Sequence, residues 1–155
     1  MFWVPTPPEA VVKMLELAEI RPDDVLYDLG CGDGRIVVEA AKRHGIKAVG
    51  YDVDPVRVRE ATENVRRAGV GHLVTIRQED IFRADLTGAS VVTLYLLPNL
   101  NARLMPQLAR LKPGSRIISH SFAMKGAKPK QIVRVPSSKG VRTLLVWVVP
   151  WEPER

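Results

Sequence analysis

Asp28-Leu29-Gly30-Cys31-Gly32-Asp33-Gly34 is the stretch from which the fold is read. Residues 25–29, Val-Leu-Tyr-Asp-Leu, have the character of a short buried strand, and Gly30 stops it. From Asp33 a helical pattern continues to about His44, where Gly45 supplies the stop. Glycines between a strand and a helix allow positive φ and let a ligand approach the main chain closely.

The same strand-and-helix unit recurs on both sides. Upstream, Pro7-Pro8 opens a helix whose Val11, Leu15 and Ala18 share one face, broadened by Val12 and Leu17. Pro22-Asp23-Asp24 then makes a turn. Downstream, residues 46–51 read as a strand, and Asp54-Pro55 caps and starts a helix that runs to Ala68 and ends at Gly69. Residues 73–77 predict a third strand, and residues 90–97, almost wholly apolar, a central fourth. Asn99 or Asn101 is expected to cap a helix to about Leu111, followed by a Lys112-Pro113-Gly114 turn and a fifth strand over 115–121. Residues 131–135 and 141–149 alternate like strands of a hairpin joined through Ser137-Ser138-Lys139-Gly140. Strands alternating with helices predict an α/β, mostly parallel sheet covered on both faces, with an antiparallel hairpin at one end. Ligands of such open sheets bind beyond the carboxyl ends of the strands, near the switch point.

Acids stand at those ends. Asp28 closes the first strand, and Asp52 closes the second, 22 positions after Gly30. An acid at that spacing is placed to accept from the two ribose hydroxyls of an adenosine. Asp80 follows the third strand, where it can accept from an adenine amino group while Ile81 packs on the ring. The dinucleotide fingerprint needs a third glycine where this chain has Arg35. Asp28 and Asp33 would also repel a pyrophosphate. S-adenosylmethionine has no phosphate and carries an ammonium and a sulfonium, so an acidic loop suits it and disfavours a nicotinamide cofactor.

Composition agrees with one compact unit. The 155 residues are 46% hydrophobic and 26% charged, which suits a single globular domain over 1–155. Cys31 is the lone cysteine, so an internal disulfide is excluded, and with three scattered histidines no metal-ligand spacing arises. No basic segment followed by an apolar run opens the chain, and residues 91–98 and 144–150 fall well short of the roughly 20 apolar residues of a spanning helix. A cytoplasmic protein with no membrane partner is expected. The net charge of +6 fits either a nucleic-acid partner or a merely solvated basic face. Lys125, Lys128, Lys130 and Arg134 are expected beside the mouth of the site.

These residues resemble the class I S-adenosylmethionine-dependent methyltransferases. Asp28–Gly34 is similar to their first motif, Gly50-Tyr51-Asp52-Val53-Asp54 to their ribose-binding segment, and Glu79-Asp80-Ile81 to their adenine-binding segment. The resemblance, from about Pro5 to Trp147, implies a Rossmann-like, seven-stranded sheet with its last strand antiparallel. It also implies S-adenosylmethionine as cofactor, held by Asp28, Gly30, Cys31, Gly32, Asp52, Val53, Asp80 and Ile81. The usual helix between the fifth strand and the hairpin is missing, since residues 123–130 hold two alanines, a glycine, a proline and three lysines. Val4-Pro5-Thr6-Pro7, together with Asp33-Gly34-Arg35-Ile36-Val37 extending the loop, is similar to the small protein-lysine methyltransferases of archaea and mitochondria. That narrower resemblance implies that Thr6 lies over the cofactor and that the substrate is a protein lysine.

At the end of the fourth strand, where the methyl group is expected, the chain reads Thr93-Leu94-Tyr95-Leu96-Leu97-Pro98-Asn99. Enzymes acting on base amino groups carry an acid or amide followed by two prolines there, which this chain lacks. Tyr95 either lines an acceptor channel through its ring face or simply packs on a helix. Asn99 is a helix cap first and an acceptor contact second, and these two are the candidate catalytic residues. His120 and Ser119, at the end of the fifth strand, are expected to be structural, Cys31 to matter through its backbone, and Trp147 and Trp151 to pack in the core or at an edge. Trp3 is expected to pack there too, or to shield the cofactor. Three readings stay open: a protein-lysine methyltransferase, an RNA or small-molecule methyltransferase, and a non-catalytic S-adenosylmethionine-binding subunit. The oligomeric state is not encoded in any of these features.

Overall fold

The computed structural model describes residues 4–155; Trp3, a candidate cofactor shield, lies outside them. Five parallel strands form the body of the sheet: β1 (Val25–Leu29), β2 (Lys47–Asp52), β3 (Val74–Gln78), β4 (Val91–Leu94) and β5 (Arg116–His120). A hairpin of β6 (Gln131–Val135) and β7 (Arg142–Val148) completes it, with β7 antiparallel to β5. The order is β3-β2-β1-β4-β5-β7-β6, so the chain reverses direction across the sheet between β1 and β4. This is the expected seven-stranded architecture with an antiparallel end.

Helices α1 (Pro8–Leu17), α2 (Arg35–His44) and α3 (Pro55–Arg67) cover one face. Each is apolar on one side only: α1 buries Ala10, Val11, Met14 and Leu15, and α2 buries Ile36, Val37, Ala40 and Ala41. Their ends follow local chemistry. Pro8 and Pro55 sit at first helical positions, the Asp54 carboxylate accepts from the Val56 N–H at 2.9 Å, and Gly45 closes α2 at φ 66°.

The other face is covered by α4 (Pro98–Leu108) and by residues 121–130, which cross it without forming a helix. Met124 and Ala127 of that segment are fully buried beside Trp147, whose indole N–H donates to the Ala127 carbonyl at 3.1 Å. A tryptophan this deeply packed contributes about 3–5 kcal/mol against truncation. Trp151 packs on the margin of the same cluster. No described helix is long and apolar enough to cross a membrane.

Two expectations are corrected. The fourth strand ends at Leu94 rather than Leu97, because Pro98 occupies the first position of α4 and pulls residues 95–97 out of the sheet. For the same reason Leu97 is the N-cap, so neither Asn99 nor Asn101 caps α4. Asn99 is exposed in the first turn. Asn101 is fully buried, and its amide N–H groups donate to the Phe122 and Ala123 carbonyls at 3.1 and 3.3 Å.

Candidate active site

The loop after β1 wraps around the end of β2. Gly30, Gly32 and Gly34 all take positive φ, 91°, 55° and 82°. The N–H groups of Gly30 and Cys31 both donate to the Tyr51 carbonyl at 2.8 Å, and Gly32 N–H donates to Asp52 at 3.0 Å. Gly50 makes room for this, since a Cβ there would meet the Cys31 side chain at 2.9 Å. Cys31 is buried, and burial together with the Asp28 and Asp52 carboxylates pushes its thiol far above its usual range. The thiol is therefore inert as a nucleophile.

Asp28, Asp52 and Asp80 stand at successive strand ends, in the expected order. Asp28 is buried and accepts from the Thr93 hydroxyl at 2.9 Å. Burial pushes its carboxyl up to about 7, against the Thr93 hydrogen bond and with help from the Asp52 and Asp33 charges. Asp52 accepts on one oxygen from Gly32 and on the other from the Asp54 N–H at 3.0 Å. Each oxygen keeps a second lone pair, so the carboxylate can still receive two ribose hydroxyls. Val53 beside it is exposed. Asp80 is exposed and accepts from the Phe82 N–H at 3.0 Å, and half-buried Ile81 is anchored by Gln107, whose amide donates to its carbonyl at 3.0 Å.

Asp33 behaves differently from expectation. It forms a two-point ion pair with Arg35, at 2.6 and 3.0 Å, so the negative charge of the cradle rests on Asp28 and Asp52. Arg35 also donates to the Thr6 carbonyl at 3.0 Å. Thr6 is thereby tied to the loop. A buried carboxylate with a second one beside it and a glycine-lined floor fits a cationic nucleoside such as S-adenosylmethionine.

Beyond β4 and β5 the chemistry changes. The Tyr95 ring stacks on His120 with centroids 3.8 Å apart, and Phe122 lies nearly parallel to it at 6.2 Å. His120 is fully buried; its Nδ1 is 3.0 Å from the Thr6 hydroxyl and its Nε2 is 3.4 Å from Arg142. A guanidinium only donates, so Nε2 is the acceptor and Nδ1–H donates to Thr6. Burial, then the Arg142 charge, pushes His120 down to about 4, which keeps it neutral. Ser119 donates to the Phe122 carbonyl at 2.5 Å and serves the same wall. Sequence reasoning missed Thr93 and Arg142, and it undervalued His120; no local pattern marks them.

The basic residues do not gather at this mouth. Lys128 N–H bonds the Glu152 carbonyl at 2.7 Å, near the opposite end of the sheet, and Lys130 N–H bonds the Val146 carbonyl, level with mid-strand. Arg134, paired with Thr143, lies toward the mouth.

Residues 28–131 match the family model described as the ANTKMT methyltransferase domain. A protein-lysine N-methyltransferase of Saccharolobus islandicus is 42% identical over 149 residues, 95% of this chain and 92% of the relative. The mouse adenine nucleotide translocase lysine N-methyltransferase is 34% identical over 79% of this chain, which spans about half (54%) of that relative's length. The crystal structure of an RNA methyltransferase from Salinibacter ruber with S-adenosyl-L-homocysteine superimposes with TM-score 0.89 and 47% identity, over 98% of this chain and 97% of that one.

Proposed function

The chain belongs to the family of the ANTKMT methyltransferase domain, and from that premise we propose that it methylates the Nζ of lysine side chains in a protein. It is an S-adenosylmethionine-dependent methyltransferase. One observation carries the acceptor assignment: Tyr95 directly follows β4, with its ring stacked on a neutral histidine, where a base-amine enzyme would have an acid or amide. An aromatic face beside a site for a cationic cofactor packs well against the aliphatic stem of a lysine.

When bound, S-adenosylmethionine supplies the methyl group and a thioether leaving group. Asp28 receives its ammonium and Asp52 its ribose hydroxyls, Asp80 and Ile81 hold the adenine, and Gly30, Cys31, Gly32, Val53 and Thr6 line its path. Tyr95 forms the acceptor wall and Asn99 its rim. In-line displacement needs alignment more than acid–base help. His120 is no general base, since both its nitrogens are engaged and burial with the Arg142 charge makes it a weak proton acceptor. We read residues 1–155 as one such domain, and the lone buried thiol suits a reducing cytoplasm.

RNA is the second reading, because the 47%-identical Salinibacter ruber protein is described as an RNA methyltransferase. Tritiated methyl transfer to separate pools of protein, ribosomal RNA and small metabolites decides between them. Label on lysine in the protein pool is the expected result. Label confined to RNA replaces the protein reading, and cofactor binding with no label in any pool replaces it with a non-catalytic subunit.

A further inference from the structure

Arg142 opens β7 at the same end of the sheet as Tyr95 and His120. Its Nη1 lies 3.4 Å from the Tyr95 hydroxyl and 3.4 Å from His120 Nε2. Among the described residues no carboxylate pairs with it, and its charge is half-buried against two neutral aromatic rings. On β5, His120 is neutral; on β6 and in the hairpin turn, Arg134 and Lys139 are exposed cations. On α1, Glu9 accepts from the Ser138 N–H, and in the glycine loop Asp33 is committed to Arg35. Asp28 and Asp52 stand at the ends of β1 and β2, across the switch point and beneath the cofactor cradle.

A free lysine amine is protonated at neutral pH, with its ordinary pKa near about 10.4, and an ammonium has no lone pair with which to attack. A fixed like charge at the acceptor mouth disfavours that ammonium. We propose that Arg142 selects the neutral form of the incoming lysine amine, doing by repulsion what a general base would do by proton transfer. This rests on the protein-lysine reading above. The lone pair freed in this way forms the new N–CH3 bond as the S–CH3 bond breaks, the bonding pair stays on sulfur, and the extra proton of the product ammonium leaves to water. Tyr95 and His120 are positioning residues here: their stacked rings and the two 3.4 Å contacts hold the guanidinium beside the Tyr95 ring.

The test is the pH dependence of kcat for tritiated methyl transfer to poly-L-lysine, which reports on the bound amine. In Arg142→Gln the midpoint is expected to move up by about one pH unit, with activity reduced about tenfold near pH 7 and recovered near pH 10. Arg142→Lys keeps the charge and is expected to keep the midpoint. Unchanged affinity for S-adenosylhomocysteine certifies the fold of each variant, and Arg142→Met replaces the Gln variant if that one misfolds. Nuclear magnetic resonance titration of His120 gives a readout without turnover: its midpoint rises in the Gln variant if the Arg142 field reaches the site. A kcat loss equal at every pH, an unmoved midpoint, or an unmoved His120 titration overturns the role of Arg142 alone. A wild-type protein that labels RNA and never lysine overturns the protein-lysine reading, and this inference with it.

Discussion

The two halves of the strand-end surface are opposite in charge and in construction. On the β1–β2–β3 side stand Asp28, Asp52 and Asp80 over a floor of glycines. On the β4–β5–β7 side stand Tyr95, His120 and Arg142, aromatic or cationic, and among the described residues no carboxylate bonds to them. The anionic half suits a cationic cofactor. The cationic half suits an amine that must arrive uncharged. On the proposed reading, one site favours a sulfonium over its anionic half and disfavours an ammonium over its cationic half.

The harshest way to break this contrast is Asp28→Asn. Removing the buried charge is expected to cost about 3 kcal/mol in affinity for S-adenosylhomocysteine, roughly a hundredfold, by calorimetric titration. Undiminished affinity would mean that the anionic half does not recognise the ammonium. Asp52→Ala is expected to cost about 2 kcal/mol in the same titration, from ribose hydroxyls left unpaired.

A third effect comes from pH. Since the Asp28 carboxyl sits at about 7, a cofactor ammonium must first expel its proton, so affinity falls about tenfold between pH 8 and pH 6. Titrations in buffers of different ionisation enthalpy should show proton release, and Asp28→Asn should abolish it. The same group affects stability in a defined direction. Its folded pKa is raised from 3.8, so its contribution is full below about pH 4 and is lost as pH rises through 7. His120, lowered from 6.5 to about 4, contributes above pH 6.5, and that contribution is lost as pH falls toward 4. Asp28→Asn should therefore melt higher than wild type at pH 8 in the absence of ligand.

The smallest effect sharpens the boundary between the halves. Tyr95→Ala is expected to reduce kcat/KM for the acceptor about fivefold, near 1 kcal/mol, with S-adenosylhomocysteine affinity unchanged. Equal losses for both ligands would show that the two halves are not separate.

Legibility from the sequence divides along the same line. The glycine loop, Asp52 and the Asp54 cap were readable because each is fixed within a few residues of a strand end, where backbone geometry dictates residue type. The acceptor side is assembled from distant segments: Thr6 meets His120 across 114 positions, and Arg142 meets Tyr95 across 47. No periodicity marks such contacts. Asn101 misled because its type fits a cap, whereas Pro98 had already set the helix start. Lys128 misled because a segment without helix still carries the chain back across the sheet before β6 begins.

Thr6 gives its carbonyl to Arg35 on one side of the switch point and its hydroxyl to His120 on the other. A strap fastened at both ends cannot yield at one without tugging the other. A shift of either Arg35 or His120 would therefore be felt at the other through this one residue.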